Sequence, residues 1–349
     1  MMDMDVIWQE YGLDRLEEGM KTLFPENTLS LNELMAQVMK GDVLGALTGL
    51  FTGAINDFMG QLAGMRNVFV WLLVLGLVSS LMTHFVEVFD KHQVADIGFY
   101  FMYLLFTVVL LRCFYLAGET ALKTLDNVIL FIKLMIPAYL LSVGVATGSV
   151  TAGASTQMML VVIYGIQNIL VQGLIPLIYS MCMLAVINGV WVEEKLTLLI
   201  DLLEKGVGWV LKGAIGVVTG LSIFQTLITP VVDSVRTSTL QRIVSAIPGV
   251  GNAADGVVEL VLGSAMMIKN SIGVVILILF LVMCAAPLLK IAVIAGVLKC
   301  AAAFIGVVSD KRITSCANRT GDAGLLLLRT TGTAMLLFII SIAVLTRAT

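Results

Sequence analysis

Apolar residues run along this chain in long blocks, and polar residues gather between them. From Leu134 to Val192 there are 59 consecutive residues without Asp, Glu, Lys or Arg. Further charge-free windows are Asn67–Phe85, Ile97–Leu111, Gly213–Val232, Asn270–Leu289 and Thr330–Thr346. About 20 apolar residues cross a bilayer as a helix, and no soluble core helix needs a run of such length. A β-barrel would instead show segments of about ten residues with alternating hydrophobicity. The pattern predicts an all-α, polytopic membrane helical bundle. Candidate spans are roughly 67–84, 97–117, 128–148, 157–190, 207–229, 271–308 and 325–346.

Two of these are too long for a single crossing. At 1.5 Å per residue, 271–308 would make about 57 Å of helix against about 30 Å of hydrocarbon. Pro176 and Pro287 lie inside the two long segments, where a helix kinks or breaks. Each therefore reads as a hairpin or a broken helix, giving about seven to nine membrane segments, some broken or re-entrant. A 111-residue offset superposes Pro137 and Pro176 on Pro248 and Pro287 and lays 97–117 on 207–229. Degenerate internal repeats of that sort occur in transporters. The stretch 309–324, with Lys311, Arg312 and Arg319, reads as the most basic loop; the positive-inside rule places it in the cytoplasm.

Residues 1–66 differ from the rest, with ten acids and four bases. Ser30 and Glu33 fit a capping box, and two apolar series follow at helical spacing, Leu31–Val38 and Leu44–Leu62. This region reads as an N-terminal acidic amphipathic helical region, with 67–349 as the polytopic transmembrane domain. The start has no basic n-region and no apolar h-region, so it does not read as a secretory signal.

Composition narrows the chemistry. The chain has 349 residues, a mean hydropathy of +1.00 and a formal net charge of −3, which gives no basis for nucleic-acid binding. The five cysteines contain no CxxC pair and read as small apolar core residues. His84 and His92 flank Glu87 and Asp90, a set that reads as a solvated loop rather than a metal site. No HExxH, no P-loop, no Gly-x-Ser-x-Gly and no nucleophile–histidine pairing is present. The sequence therefore points away from an enzyme and calls for no cofactor.

The candidate site is a polar segment in an otherwise apolar region, "IPGVGNAADGVVELVLGSAMMIKNSIG", residues 247–273. On a helix Asp255, Glu259, Gly263 and Asn270 fall near one stripe, Lys269 supplies a cation, and glycines allow close helix approach. It reads as a re-entrant or interfacial helix that lines a pore or an interface. Arg112, Lys133, Lys212, Lys290 and Lys299 sit in or near spans. A charge at a helix centre costs about 2.5–3.5 kcal/mol on insertion scales. Lys290 either reaches headgroups from a hairpin tip or lines a cavity.

The segments "FIKLMIPAYLLSVGVATGSVTAGAS" (131–155), 247–273 and "VSDKRITSCANRTGDA" (308–323) resemble the stage III sporulation protein AE family of endospore-forming bacteria. The resemblance runs from about Asp5 onward and carries no catalytic residues. It implies a permease-like, multi-pass subunit of the stage III A assembly, in the mother-cell membrane around the forespore. It also implies partners: a secretion-type ATPase, ring-forming subunits and, indirectly, forespore protein Q. Relatives commonly begin with a cleavable signal, which this start lacks. A reading of a different class is a stand-alone secondary transporter built on the degenerate repeats.

Overall fold

The computed structural model describes residues 43–87, 92–147, 150–191, 195–244, 277–278, 280–281 and 284–347. Side-chain surroundings are described for 58–81, 97–133, 157–191, 195–224, 277–278, 280–281 and 284–342. Among the described residues every regular element is helical. These are α1 (Val43–Glu87), α2 (His92–Thr147), α3 (Val150–Ile169), a π turn (Leu170–Leu174), α4 (Ile175–Val190), α5 (Thr197–Val244), α6 (Cys284–Ile305) and α7 (Lys311–Arg347). Six helices among the described residues are long and apolar enough to cross a membrane: Phe58–Leu81, Ile97–Lys133, Gln157–Val190, Thr197–Phe224, Cys284–Ile305 and Lys311–Ile342. The polytopic helical bundle read from the sequence is the architecture found.

Several boundaries differ from the sequence reading. The separate spans 97–117 and 128–148 are parts of one helix, α2. The polar stretch between them contains good helix formers such as Ala121, Leu122 and Lys123 and stays helical. Lys123 pairs with Glu119 one turn away at 2.7 Å, and the Thr120 and Thr124 hydroxyls donate to carbonyls four residues back. At 56 residues, α2 has a contour of about 84 Å, well beyond one hydrocarbon thickness.

The segment 157–190 is not a hairpin either. Pro176 lacks an N–H and its ring crowds the carbonyl four residues back. The helix accommodates this by widening into the π turn just before it, where the Ile175 N–H bonds to the Leu170 carbonyl five residues back. In α6 both Pro287 and Lys290 lie within the helix. Among the described residues 284–310 the chain turns at 306–310, so Lys290 lies inside a helix and not at a hairpin tip. The basic "loop" 309–324 is likewise the opening of α7. Asp310 starts it, its carboxylate accepting from the Arg312 N–H at 2.8 Å, as an N-cap does.

The described ends of α1 and α2, of α4 and α5, and of α6 and α7 that follow one another along the chain lie together at one end of the bundle, called here the hairpin-tip end. The Ser80 hydroxyl donates to Val308 O at 2.6 Å. The Tyr103 hydroxyl donates to Val186 O at 2.6 Å. The Arg312 guanidinium lies 3.6 Å over the Phe99 ring.

The last helix is the central post. α7 packs on α2, α3, α4 and α5 and reaches α6 through its glycines: a Cβ at Gly324 would sit 3.2 Å from Ala295 Cβ. At the far end Phe131, Phe280 and Phe338 form one aromatic cluster, with ring centroids 4.3–5.7 Å apart. Because lipid tails are as apolar as leucine, close packing and polar contacts between helices, rather than hydrophobic exclusion, hold such a bundle together.

Candidate functional site

Of the six residues singled out from the sequence, Asp255, Glu259, Gly263, Lys269 and Asn270 lie outside the described residues. Lys290 is half-buried in α6, within electrostatic reach of Glu119 on α2.

The structure builds a polar site elsewhere, from α5, α6 and α7. Arg319 of α7 meets two acids one turn apart on α5, Asp201 at 2.5 Å and Glu204 at 3.7 Å. Lys299 of α6 meets Asp322 of α7 at 2.6 Å and donates to the Asn318 side-chain Oδ1 at 2.7 Å. The α7 partners Asn318, Arg319 and Asp322 occupy consecutive turns, so one helix ties both neighbours. The site needs small residues beside it: a Cβ at Gly321 would come within 3.0 Å of the Lys299 stem. Side-chain exposures of 23–38 % across these pairs make the layer neither dry core nor free surface.

Its surroundings set its character. On the hairpin-tip side Leu198, Ile97 and Val307 are 71–85 % exposed, and on the other side Trp209, Val217 and Phe224 are also exposed. The charges are thus flanked along the bundle axis by exposed apolar surface. Inside a lipid-facing band, ionised groups persist when they pair or face an aqueous interior. Three acids and two bases leave the layer with a formal surplus of one negative charge.

Two further polar features hold the helices in register. At the α4–α5 hairpin the Asn188 side chain accepts from the Leu196 N–H at 2.7 Å and donates to the Thr197 hydroxyl at 3.2 Å. Deeper in the bundle, fully buried Gln167 donates to Ala334 O at 2.7 Å. Its own Oε1, and the buried Thr330 hydroxyl, have no partner among the described residues. A buried, unmatched acceptor is costly; leucine would remove Oε1 together with the donor, and the Ala334 carbonyl lies inside α7, where the helix ladder still supplies it a partner. Gln167→Leu is therefore expected to change stability by no more than about 1 kcal/mol. Gln167→Ala should cost about 2–3 kcal/mol through the cavity it leaves. Thermal unfolding in detergent distinguishes the two; equal losses would show that Oε1 is satisfied.

Sequence reasoning singles out Lys299 but not its partners. By its neighbours alone Arg319 reads as part of a solvated basic loop, and Asp201 and Glu204 do not stand out. The available signal is a pair of acids at i, i+3 within the otherwise apolar opening of a span, "LTLLIDLLEKG".

Comparison with known proteins identifies a family. The family model described as stage III sporulation protein AE matches residues 29–349. Stage III sporulation protein AE of Bacillus subtilis (strain 168) is 20 % identical over 306 residues, covering 86 % of this chain and 75 % of the relative. No solved structure matches. With a family match over most of its length and, among the described residues, six helices able to span a membrane, this chain belongs to the stage III sporulation protein AE family of multi-pass membrane proteins.

Proposed function

We propose that this chain is a non-catalytic, permease-like membrane subunit of the stage III A assembly. In this reading it serves a channel or secretion-like apparatus linking mother cell and forespore, needed for late forespore gene expression. Its partners are a secretion-type ATPase and ring-forming subunits, with forespore protein Q reached indirectly across the intermembrane space. It resides in the mother-cell membrane around the forespore. The observation that carries the reading is the ion-paired layer of Asp201, Glu204, Lys299, Arg319 and Asp322 between lipid-facing apolar surfaces. Charges in such a band are retained where they serve passage or assembly, and family membership supplies the setting.

The stripe of Asp255, Glu259, Gly263, Lys269 and Asn270 belongs to the same reading as a surface facing protein or water. Glu259→Leu is expected to leave membrane insertion intact while impairing assembly. Cysteines placed at 255, 259 and 263 should react with polar thiol reagents or cross-link to neighbouring spans. Labelling of all three only by lipid-soluble probes would overturn this orientation.

The test of the whole reading is affinity purification from sporulating cells after gentle detergent extraction. The ATPase and ring-forming subunits should co-elute, and a deletion strain should lose late forespore gene expression. A strain that still made normal spores would overturn the reading. A stand-alone secondary transporter is the second reading, favoured by the 111-residue offset in the sequence and by the π turn that interrupts 157–190. Solute uptake by the purified chain alone in liposomes, with no co-eluting partners, would select it.

A further inference from the structure

The first span and α6 enclose an open groove of about 420 Å³. Phe58, Leu62 and Phe69 of α1 form one wall, and Ala292 and Val293 of α6 the other. Gly296 forms part of the floor, and nothing lies within 4 Å of where its Cβ would be. The Phe69 and Phe304 rings meet edge to face, with centroids 6.0 Å apart, and bound the groove toward the hairpin tips. The lining holds one charged side chain, Arg66, and one thiol, Cys300.

Arg66 is exposed and makes no ion pair among the described residues. A guanidinium carries five donors and no acceptor, and in a lipid-facing span it calls for an anion. Phosphate oxygens match its fork with two parallel bonds. Everything else in the groove offers only apolar contact. An occupant that satisfies both walls therefore has a long hydrocarbon body and one anionic head. The neighbouring Met59, Val70 and Trp71 are exposed apolar side chains on the same helix, so the groove opens onto a surface that lipid would cover.

We propose that this groove is a binding site for one anionic phospholipid, its phosphate held by Arg66 and an acyl chain lying along the α1–α6 wall. The site adds a lipid requirement that neither the ion-paired layer nor family membership implies.

Cys300 supplies a built-in probe, since it is exposed while Cys113, Cys182, Cys284 and Cys316 are buried. The full-length purified protein is delipidated, returned to vesicles of phosphatidylcholine with or without phosphatidylglycerol, and labelled with a small maleimide. Phosphatidylglycerol should slow Cys300 labelling, and native mass spectrometry should show one phospholipid retained. Arg66→Gln should weaken retention about tenfold, the loss of roughly one charge-assisted hydrogen bond. Gly296→Leu should fill the floor and displace the chain, with Arg66 intact. Equal labelling in both vesicle types would overturn the proposal. So would protection that persists after delipidation, which would mean that the chain's own residues cover the groove. Protection that appears only with a second protein would assign the groove to a partner helix instead.

Discussion

Gly189→Ala is expected to destabilise the bundle by about 2 kcal/mol, the range seen when an extra methyl is forced into a packed core. A glycine-to-alanine change inside a helix ordinarily has the opposite sign, a gain of about 0.5–1 kcal/mol. The reversal comes from Tyr103. A Cβ at Gly189 would overlap its hydroxyl and crowd its ring carbons. Tyr103 has little room to move: it is 1 % exposed, bonded to Val186 O and stacked against Phe99 at 5.9 Å. The controls lie on α5, where Gly208, Gly213 and Gly216 have nothing within 4 Å of where a methyl would sit; alanine there should be neutral or stabilising. Adding Tyr103→Phe to Gly189→Ala removes the overlapping oxygen and should recover part of the loss. Thermal unfolding of each variant in one detergent checks the set. An unchanged melting temperature for Gly189→Ala would show that α2 and α4 are not in contact at this level.

Arg319→Leu should be the most damaging single change in the ion-paired layer. It leaves Asp201 and Glu204 without their cation, and an uncompensated carboxylate in a partly desolvated site is the costly half of a broken pair. A fully buried pair would lose about 3–5 kcal/mol on removing one partner, whereas exposed pairs contribute about 0–1 kcal/mol. With these side chains 24–38 % exposed, a loss of about 2 kcal/mol is expected, between those limits. Arg319→Lys should recover only part of it, since an ammonium cannot span two acids as a guanidinium fork does. Asp201→Asn should be milder than Arg319→Leu, because Glu204 remains to balance the arginine. Combining Arg319→Leu with Asp201→Leu and Glu204→Leu should restore stability. If that triple variant is stable yet fails to support sporulation, the layer serves function rather than folding. If it is stable and fully functional, the charges are only a packing device.

The contrast between these two sites shows how far the sequence reaches. The charge-free runs alone determine that this chain is a helical membrane bundle, because a backbone in hydrocarbon must satisfy its own hydrogen bonds and a helix does so locally. The capping carboxylate of Asp310 and the break in register before Pro176 are also local events. They follow from residues within a turn or two of each other, although only the structure showed that the second becomes a π turn rather than a hairpin. Tertiary structure decided the rest. Nothing around Arg319 in the sequence tells a solvated basic loop from an intrahelical cation, since the difference lies in two acids over a hundred residues earlier. Nothing around Gly189 shows that Tyr103, on another helix, occupies its missing side chain. Local hydrogen bonding and hydropathy act over a few residues and are written in order along the chain. Pairing of charges and filling of glycine notches act across helices, and the order of residues alone does not record which helices will meet.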